Sequence, residues 1–481
     1  MRADVAPFAV DLLLVLAGLG VLFAIGLVPF RLSTLVAALG LAYLVGTGVV
    51  SVVLIALLTI GVPFTLVTFD IVALACVAAG GLRLWLRPPP RPPAAGPSWW
   101  RRPWRSWSID DWAVGIFVVL LGLFAVVGLA GTWKMPLTEW DAWSIWARKA
   151  QMLVGHDTLV TNFFASHSYF WVHLEYPLVV PVFEALHSRA AGSFDMQAVL
   201  RHFWLLAIAF PWAIAYLLRD QVRPLIWAPI LLLLVGSPGV WQQLLTGYAD
   251  VPMAMFICLG AISLALWLSR GELPMLALAT ITLAAAANTK NEGLMAAVVL
   301  LLVAWLATLA LGLRARAFLV AAVGFGVAVL PWRLWVSAHH LKTEIPVGKG
   351  LDPSFLIDRS DRIGPTIDGI VRELSDPGRW RYVLPLAALV VLTCLVSGIG
   401  RRVAGFYLAS FFLVCAGFVW SYMVTPNSID WMLATSVNRI VTALMLIALA
   451  GLVHLSGLLL ASLAGVREMP EEGLEPPTRG L

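Results

Sequence analysis

The feature that most constrains this chain is a series of long apolar runs, each separated from the next by arginine, proline or glycine. An α-helix needs about 20 apolar residues to cross the hydrocarbon core of a bilayer. Runs close to this length lie near 8–29, 33–60, 63–86, 113–133, 196–218, 224–241, 247–269, 273–288, 293–312, 317–337, 382–399, 403–424 and 437–461. The sequence therefore predicts an all-α polytopic membrane protein with about 13 transmembrane helices.

The composition agrees with a membrane protein, because 60% of the residues are hydrophobic and only 12% are charged. The net charge of +5 comes from basic residues spread over short loops rather than gathered in one patch. This distribution argues against nucleic acid as a partner and indicates a role in membrane orientation. The first run is long enough to span and follows a very short basic start, so we expect it to stay in the membrane.

The basic residues also predict the sidedness of the protein. The apolar stretch 177–192 is short and contains Glu184, His187 and Arg189, so we interpret it as a helix lying at the membrane interface. The arginines of the short loops then share one side, which the positive-inside rule makes cytoplasmic. The two long loops, 134–195 and 338–380, are extracytoplasmic in this topology, and we expect a plasma (inner) membrane location.

Proline and arginine punctuation divides the chain into modules. Residues 1–86 carry the first three runs, and 87–112 form a Pro- and Arg-rich linker on the cytoplasmic side. Residues 113–337 form the core with the first long loop, and 338–464 hold the second long loop and three further runs. The tail 465–481 contains several prolines and glutamates and is expected to be disordered.

Two carboxylates, Glu139 and Asp141, stand among tryptophans directly after the fourth apolar run. Acids pressed against a bilayer surface are costly unless they are paired or functional, although an aromatic belt with a solvated edge is an alternative. Apolar residues then recur at helical spacing, which predicts an amphipathic surface helix. Its apolar face would hold Trp140, Trp143, Trp146, Ala147, Ala150 and Leu153, and its polar face Ser144, Arg148, Lys149 and Gln151. Asp141 starts this helix, so it is either a cap, a catalytic group or both.

Four further polar clusters fall on the same predicted face, at 173–178, 246–252, 288–293 and 431–439. Each has a plain explanation: Asp250 as a turn acid, Lys290 with Glu292 as a surface pair, and Arg439 as a snorkelling side chain. Their convergence on one membrane face, with few charges elsewhere in the spans, favours a functional site.

The order, spacing and sidedness of these motifs resemble the GT-C glycosyltransferases, such as the protein O-mannosyltransferases and the lipid A aminoarabinose transferases. The resemblance covers about 110–340, and 431–439 looks like the end of the bacterial members. It implies a GT-C-like core and a membrane glycosyltransferase. Asp141 matches the acid that acts as base on the acceptor, Glu139 is its partner, and Asp250 matches a second acid of the outer cavity.

The resemblance further implies that Arg201 is a basic residue near the outer end of its span and that Lys290 lies near the phosphate of the lipid carrier. In several relatives a basic residue precedes Pro-Pro-Leu, whereas Glu175 and Tyr176 stand there in this chain. This departure puts phosphate contact at that position in doubt.

A polyprenyl-phosphate sugar would present its head group at the outer interface. Its phosphate leaving group needs cationic donors, for which the candidates are Arg201, Lys290, Arg333 and Arg439. A carboxylate would take the proton of the acceptor hydroxyl, with inversion at the anomeric carbon.

The expected acceptor- and sugar-binding residues are Asp250, Tyr248, Glu292, His173, Glu175 and Tyr176. The acceptor is a glycan, a lipid or a protein. Glu139 and Asp141 could together hold Mg²⁺ or Mn²⁺, although two acids without a His cluster are a sparse donor set.

Two other classes remain as alternatives. An envelope polysaccharide ligase or polymerase would depend on Arg and His in a late outer loop, and 338–380 carries His339, His340, Lys342, Arg359 and Arg362. A secondary transporter would have charges deep in the membrane and often internal repeats, and neither pattern is clear here.

Overall fold

The computed structural model describes five stretches of the chain, namely 2–87, 104–133, 135–343, 346–463 and 465. Every regular element in these stretches is a helix, as the sequence predicted. Most of the linker 87–112 and of the tail 465–481 lies outside the described residues, so the expectations for them stay predictions.

The α-helices follow one another along the described chain. They are α1 (Arg2–Ala24), α2 (Leu32–Thr59), α3 (Leu66–Leu86), α4 (Ile109–Thr132), α5 (Ala147–His156), α6 (Thr161–Phe164), α7 (Val179–Ala191), α8 (Met196–Leu218), α9 (Pro224–Val235), α10 (Pro238–Leu244), α11 (Asp250–Arg270), α12 (Leu273–Ala287), α13 (Asn291–Ala310), α14 (Ala315–Ala338), α15 (Val347–Gly350), α16 (Pro353–Ile357), α17 (Ile363–Leu374), α18 (Pro377–Trp380), α19 (Val383–Ser397), α20 (Arg401–Val424), α21 (Ile429–Thr435) and α22 (Val437–Leu463).

Ten of the described helices are long and apolar enough to cross a membrane: α1, α2, α3, α4, α8, α11, α13, α14, α20 and α22. The predicted run 224–241 is not one straight helix, because α9 and α10 meet at a bend of 53° after Val235. The runs 273–288 and 382–399 form α12 and α19, each of 15 residues. A helix of that length reaches about 22 Å, less than the roughly 30 Å of a bilayer core. The expected count of thirteen is therefore not confirmed.

Glycines in α1 allow the backbones of the first three helices to pack closely against one another. A Cβ atom on Gly18 would lie 1.8 Å from the carbonyl oxygen of Ala42 in α2, and one on Gly20 would lie 2.3 Å from that of Cys76 in α3. Small residues are what allow two membrane helices to pack backbone to backbone. These helices also join the rest of the bundle, because α1 contacts α7 and α2 packs against α8, α12 and α14.

Helix α7 covers most of the stretch that we expected at the membrane interface. Its 13 residues are too few to span a bilayer, in agreement with that interpretation. However, residues 179–188 are all buried, and α7 packs among α1, α2 and α5. An apolar helix face in a sequence can meet lipid or protein equally well, and here it meets protein.

The helix expected at the start of the first long loop is present but is not regular. A π-helical turn, Ala142–Trp146, precedes α5, and its wider turn rotates the later residues relative to the α-helical register. The two predicted faces are therefore partly wrong. Ser144 and Lys149 are buried although they were placed on the polar face, and Trp140, placed on the apolar face, is 60% exposed.

Candidate functional site

A cavity of about 530 Å³ lies at one end of the helix bundle. Helices α11, α13 and α22 begin beside it, whereas α20 ends beside it, so its walls come from helix termini and the segments between them. The structure brings most of the sequence-predicted site residues together in its lining. They are Glu139, Asp141, His173, Tyr176, Tyr248, Asp250, Lys290, Glu292 and Arg439.

Charged groups of alternating sign form a continuous network along the cavity wall. Arg439 contacts Asp141 at 2.5 Å and approaches Asp250 at 4.0 Å. The amine of Lys290 lies 2.9 Å from Asp250 and 3.0 Å from Glu292. Asp250 therefore sits between two cations, and each cation joins two carboxylates that are far apart in the sequence.

The centre of this network is removed from solvent. Asp250 is 1% exposed and Lys290 is 5% exposed. Asp250 is also the first residue of α11, where the positive end of the helix dipole favours a carboxylate. Burial by itself would lower the pKa of Lys290, but the charges of Asp250 and Glu292 outweigh it and raise that pKa. Lys290 is consequently a fixed ammonium rather than a proton carrier.

Asp141 does not act as a helix cap in this structure. Its side chain makes no capping hydrogen bond, and its backbone is already helical, with φ −62° and ψ −32°. The carboxylate instead contacts the guanidinium of Arg439 and is only partly buried beside the cavity. This placement leaves a carboxylate within reach of a molecule bound there.

Tyr248 contacts both Glu139 of the first long loop and Arg439. Its hydroxyl donates to Glu139 at 3.3 Å, and the guanidinium of Arg439 lies 4.7 Å above its ring. Burial and the charge of Asp141 both raise the pKa of this phenol, so its hydroxyl stays protonated and a hydrogen-bond donor. Glu139 itself is exposed at the edge of the cavity.

Several buried polar atoms of the cavity residues have no hydrogen-bond partner among the described residues. Three are acceptors, namely Oδ2 of Asp250, Oε2 of Glu292 and Oδ1 of Asn438, and one is a donor, Nε of Arg439. Buried polar groups without partners are uncommon in folded proteins, because leaving one unpaired costs about 1–3 kcal/mol. These four atoms belong to residues that line an open volume, where a polar ligand can pair with them.

One wall of the cavity is supported by a buried lysine that the sequence placed on a polar face. Lys149 donates to the backbone oxygen of His173 at 2.5 Å and lies near the rings of Trp146 and Tyr176. Burial lowers its pKa to about 7, although the charge of Glu175 acts in the opposite direction. Lys149 thus fixes the segment that presents His173 and Tyr176 to the cavity.

Three predicted residues do not line this cavity. Arg201 is buried with its guanidinium 4.5 Å from the ring of Trp133. Arg333 donates to the side chain of Asn291 at 2.6 Å and to the backbone oxygen of Ala287 at 3.2 Å, so it fastens the turn between α12 and α13. Phosphate binding by these two arginines receives no support from their positions.

Glu175 is the third predicted residue outside the lining. It is buried behind the wall, 3.6 Å from the ring nitrogen of His173, and its backbone oxygen accepts from Trp332. Its expected contact with a sugar or acceptor is therefore not supported, and its position favours support of the His173 segment.

Sequence reasoning missed other residues of the lining. Gln243 donates to the backbone oxygen of Asn438 at 2.6 Å, and the hydroxyls of Tyr422 and Ser436 are 2.7 Å apart. A glutamine following the Ser237-Pro238-Gly239 break was a usable signal, because an amide in an apolar run must find a partner. Tyr422 lies inside an apolar run with no comparable signal.

The expected divalent ion at Glu139 and Asp141 fits poorly. Glu139 accepts from Tyr248, Asp141 is engaged by Arg439, and the described residues place no third ligand of suitable type with them. Within those residues the grouping that does match metal-ligand geometry is Asp11, His187 and His202, and none of the three lines the cavity.

Comparison of the chain with models of protein families, with curated proteins and with solved structures finds no match.

Proposed function

We propose that this protein is an integral membrane glycosyltransferase that moves a sugar from a polyprenyl-phosphate donor to an acceptor, with Asp141 as general base. The observation that carries the proposal is the cavity itself. It combines a reachable carboxylate, buried acceptor atoms without partners and two fixed cations at the end of a bundle of apolar helices. A polyprenyl-phosphate sugar has hydroxyl groups for the acceptor atoms, a phosphate for the cations and a lipid tail for the apolar helices.

The unpaired atoms favour a sugar as the polar part of the ligand. Asp250, Glu292 and Asn438 each offer a buried oxygen that can accept from a hydroxyl. Tyrosine and tryptophan rings, those of Tyr176 and Trp146, lie in the same wall and are stacked at 5.7 Å. Directional acceptors beside an aromatic surface are the two elements that orient a ring bearing several hydroxyl groups.

The charge balance constrains where the phosphate binds. The cavity has four carboxylates, those of Glu139, Asp141, Asp250 and Glu292, and two cations, those of Lys290 and Arg439, so the acids exceed the cations by two. A phosphate among the acids would be repelled. We place it beside Arg439, whose Nε–H has no partner while its other arm holds Asp141.

In the proposed reaction, Arg439 holds the carboxylate of Asp141 and binds the phosphate that leaves. The acceptor hydroxyl gives its proton to the carboxylate of Asp141, and its oxygen forms a bond to the anomeric carbon. The bond from that carbon to the phosphate oxygen breaks, and the phosphate leaves with the electron pair, so that the configuration inverts. A well-placed general base contributes on the order of 100-fold or more to the rate.

The arginines of the short loops support an extracytoplasmic site, and the plasma membrane location stays an expectation. Helix α11 begins beside the cavity at Asp250 and ends at Arg270, and α20 begins at Arg401 and ends beside the cavity. Arg314, after α13, is likewise at the far end from the cavity. The positive-inside rule makes that far end cytoplasmic.

The positions of Arg359 and Arg362 in 338–380 do not favour a ligase or polymerase. Arg359 donates to the backbone oxygens of Met423 and Thr425, and Arg362 donates to those of Tyr422, Thr425 and Asn427. They satisfy carbonyls at the C-terminal end of α20, a structural role, and neither lines the cavity.

Native mass spectrometry of the detergent-purified protein tests the donor class. We expect a polyprenyl phosphate or its sugar ester to bind the wild type, added as a synthetic donor if none co-purifies. Arg439→Gln should weaken binding about tenfold or more, since a hydrogen bond to a charged group contributes about 1.5–3 kcal/mol.

Arg333→Gln is the matched control, because Arg333 is also largely withdrawn from solvent but does not line the cavity. Its affinity for the donor should stay within about twofold of the wild type. A wild type that binds no polyprenyl-phosphate sugar, or equal losses in the two variants, would contradict the proposal.

A further inference from the structure

A second group of ionisable side chains lies buried among α1, α7 and α8, away from the cavity. The carboxylate of Asp11 in α1 lies 2.9 Å from Nε2 of His187 in α7 and 2.8 Å from Nδ1 of His202 in α8, one on each oxygen. All three residues are buried. Ionisable groups in apolar helices are costly and are retained when they are paired or functional.

The hydrogen bonds of His187 fix which of its ring nitrogens carries a proton. Nδ1 lies 2.7 Å from the backbone oxygen of Phe183, an atom that can only accept. The proton is therefore on Nδ1, and the lone pair of a neutral Nε2 points at the carboxylate of Asp11. Two acceptors facing one another require either a second proton on the ring or a cation between them.

The hydrogen bonds around His187 and Asp11 are of the kind that commonly surrounds metal ligands. Histidines that bind metal commonly donate the other ring N–H to a backbone carbonyl, as His187 does to Phe183. A ligating carboxylate is commonly hydrogen-bonded as well, and the hydroxyl of Tyr43 donates to Asp11 at 2.7 Å. Both supporting contacts come from residues that are not themselves part of the ligand set.

The ligand atoms are close enough for one ion. The three atoms lie within 4.8 Å of one another. A tetrahedral zinc ion with ligands at about 2.0–2.1 Å keeps them roughly 3.3 Å apart. To hold one ion, the two contacts to Asp11 would lengthen by about half an ångström. The rings of His187 and His202, which are stacked with their centres 3.7 Å apart, would tilt so that a nitrogen of each faces the ion.

We propose that Asp11, His187 and His202 bind a divalent metal ion of the zinc type. Two imidazoles and one carboxylate are a common donor set for zinc. Because the ligands come from three helices, the ion would fasten the N-terminal helix to α7 and α8 of the core. This site is independent of the sugar-transfer proposal, since none of its residues touches the cavity.

Metal analysis of protein purified without chelator, equilibrated with Zn²⁺ and freed of unbound ion, tests the site. The wild type should retain about one zinc per chain. His202→Gln keeps a hydrogen-bond donor toward Asp11 but is a poor ligand, so its zinc content should fall at least about tenfold.

His454→Gln is the matched control, because His454 is equally buried and hydrogen-bonded, to Gln221 and Tyr407, at another place in the bundle. It should keep its zinc. Cobalt substitution provides a test on the wild type alone, in which d–d absorption bands are expected. A wild type that retains neither zinc nor cobalt would overturn the proposal in favour of a protonated His187, as would equal loss of zinc in both variants.

Discussion

The cavity network and the Asp11 cluster both bury ionisable groups inside a bundle of apolar helices, but they differ in how completely those groups are paired. Asp11 has partners on both oxygens, from Tyr43, His187 and His202. In the cavity, Asp250 and Arg439 each keep a buried polar atom without a partner, next to open volume. Polar contacts that all run between helices suit a single ion that fastens those helices, whereas unpaired atoms beside open volume suit a larger polar ligand.

The largest expected effect comes from breaking the ion pair at the centre of the cavity. Lys290→Met would remove the cation 2.9 Å from the buried Asp250 and leave the more distant Arg439, at 4.0 Å, to balance its charge. Removal of one partner of a buried pair costs about 3–5 kcal/mol of folding free energy. Thermal unfolding of the purified protein should therefore shift well below that of the wild type.

The double variant Asp250→Asn with Lys290→Met serves as its control. It removes both charges, so most of the lost stability should return. If the single and double variants were equally destabilised, the charge pairing of Asp250 and Lys290 would not be what stabilises this end of the bundle.

Lys149 shares one property with each region. It is buried, as the Asp11 cluster is, and it supports the wall of the cavity. Its pKa, lowered by burial to about 7, is below the usual 10.5 of a lysine in an unfolded chain. The folded state then binds fewer protons than the unfolded state between these values. The free energy of unfolding should rise with pH in this window, by up to about 1.4 kcal/mol per pH unit.

Lys149→Met isolates that contribution. The difference in unfolding temperature between wild type and variant, followed from pH 7 to about pH 10, should change in favour of the wild type as pH rises. A difference that stayed constant across this range would mean that Lys149 remains charged in the folded protein.

The sequence located much of the cavity because its charged residues stand at the ends of apolar runs, where a side chain can reach the membrane surface. Asp250 and Lys290 are examples, each placed at the start of a helix that begins beside the cavity. The position along a run is visible in a sequence. The direction in which a side chain points around the helix is harder to read from a sequence, which is why Arg333, expected near the phosphate, lies outside the cavity lining.

Two other features could not be predicted from local patterns. The π-helical turn before α5 rotates Lys149 into the protein, and no residue of that segment is diagnostic of such a turn. The meeting of Asp11 with His187 and His202 joins positions nearly two hundred residues apart, and it depends on how the helices pack. An ionisable residue within an apolar run indicates that the residue has a partner, but the sequence does not show which residue that partner is.

The most direct test of the central claim is the activity of Asp141→Asn. Asparagine keeps the size of the side chain and one acceptor oxygen for Arg439, but it cannot take the proton of the acceptor hydroxyl. Transfer from a polyprenyl-phosphate sugar should be measured for the purified variant together with donor affinity and thermal stability. If Asp141 is the general base, the variant folds and binds the donor, and its turnover is lower by roughly two orders of magnitude or more. A stable Asp141→Asn protein that transferred sugar at the wild-type rate would contradict it.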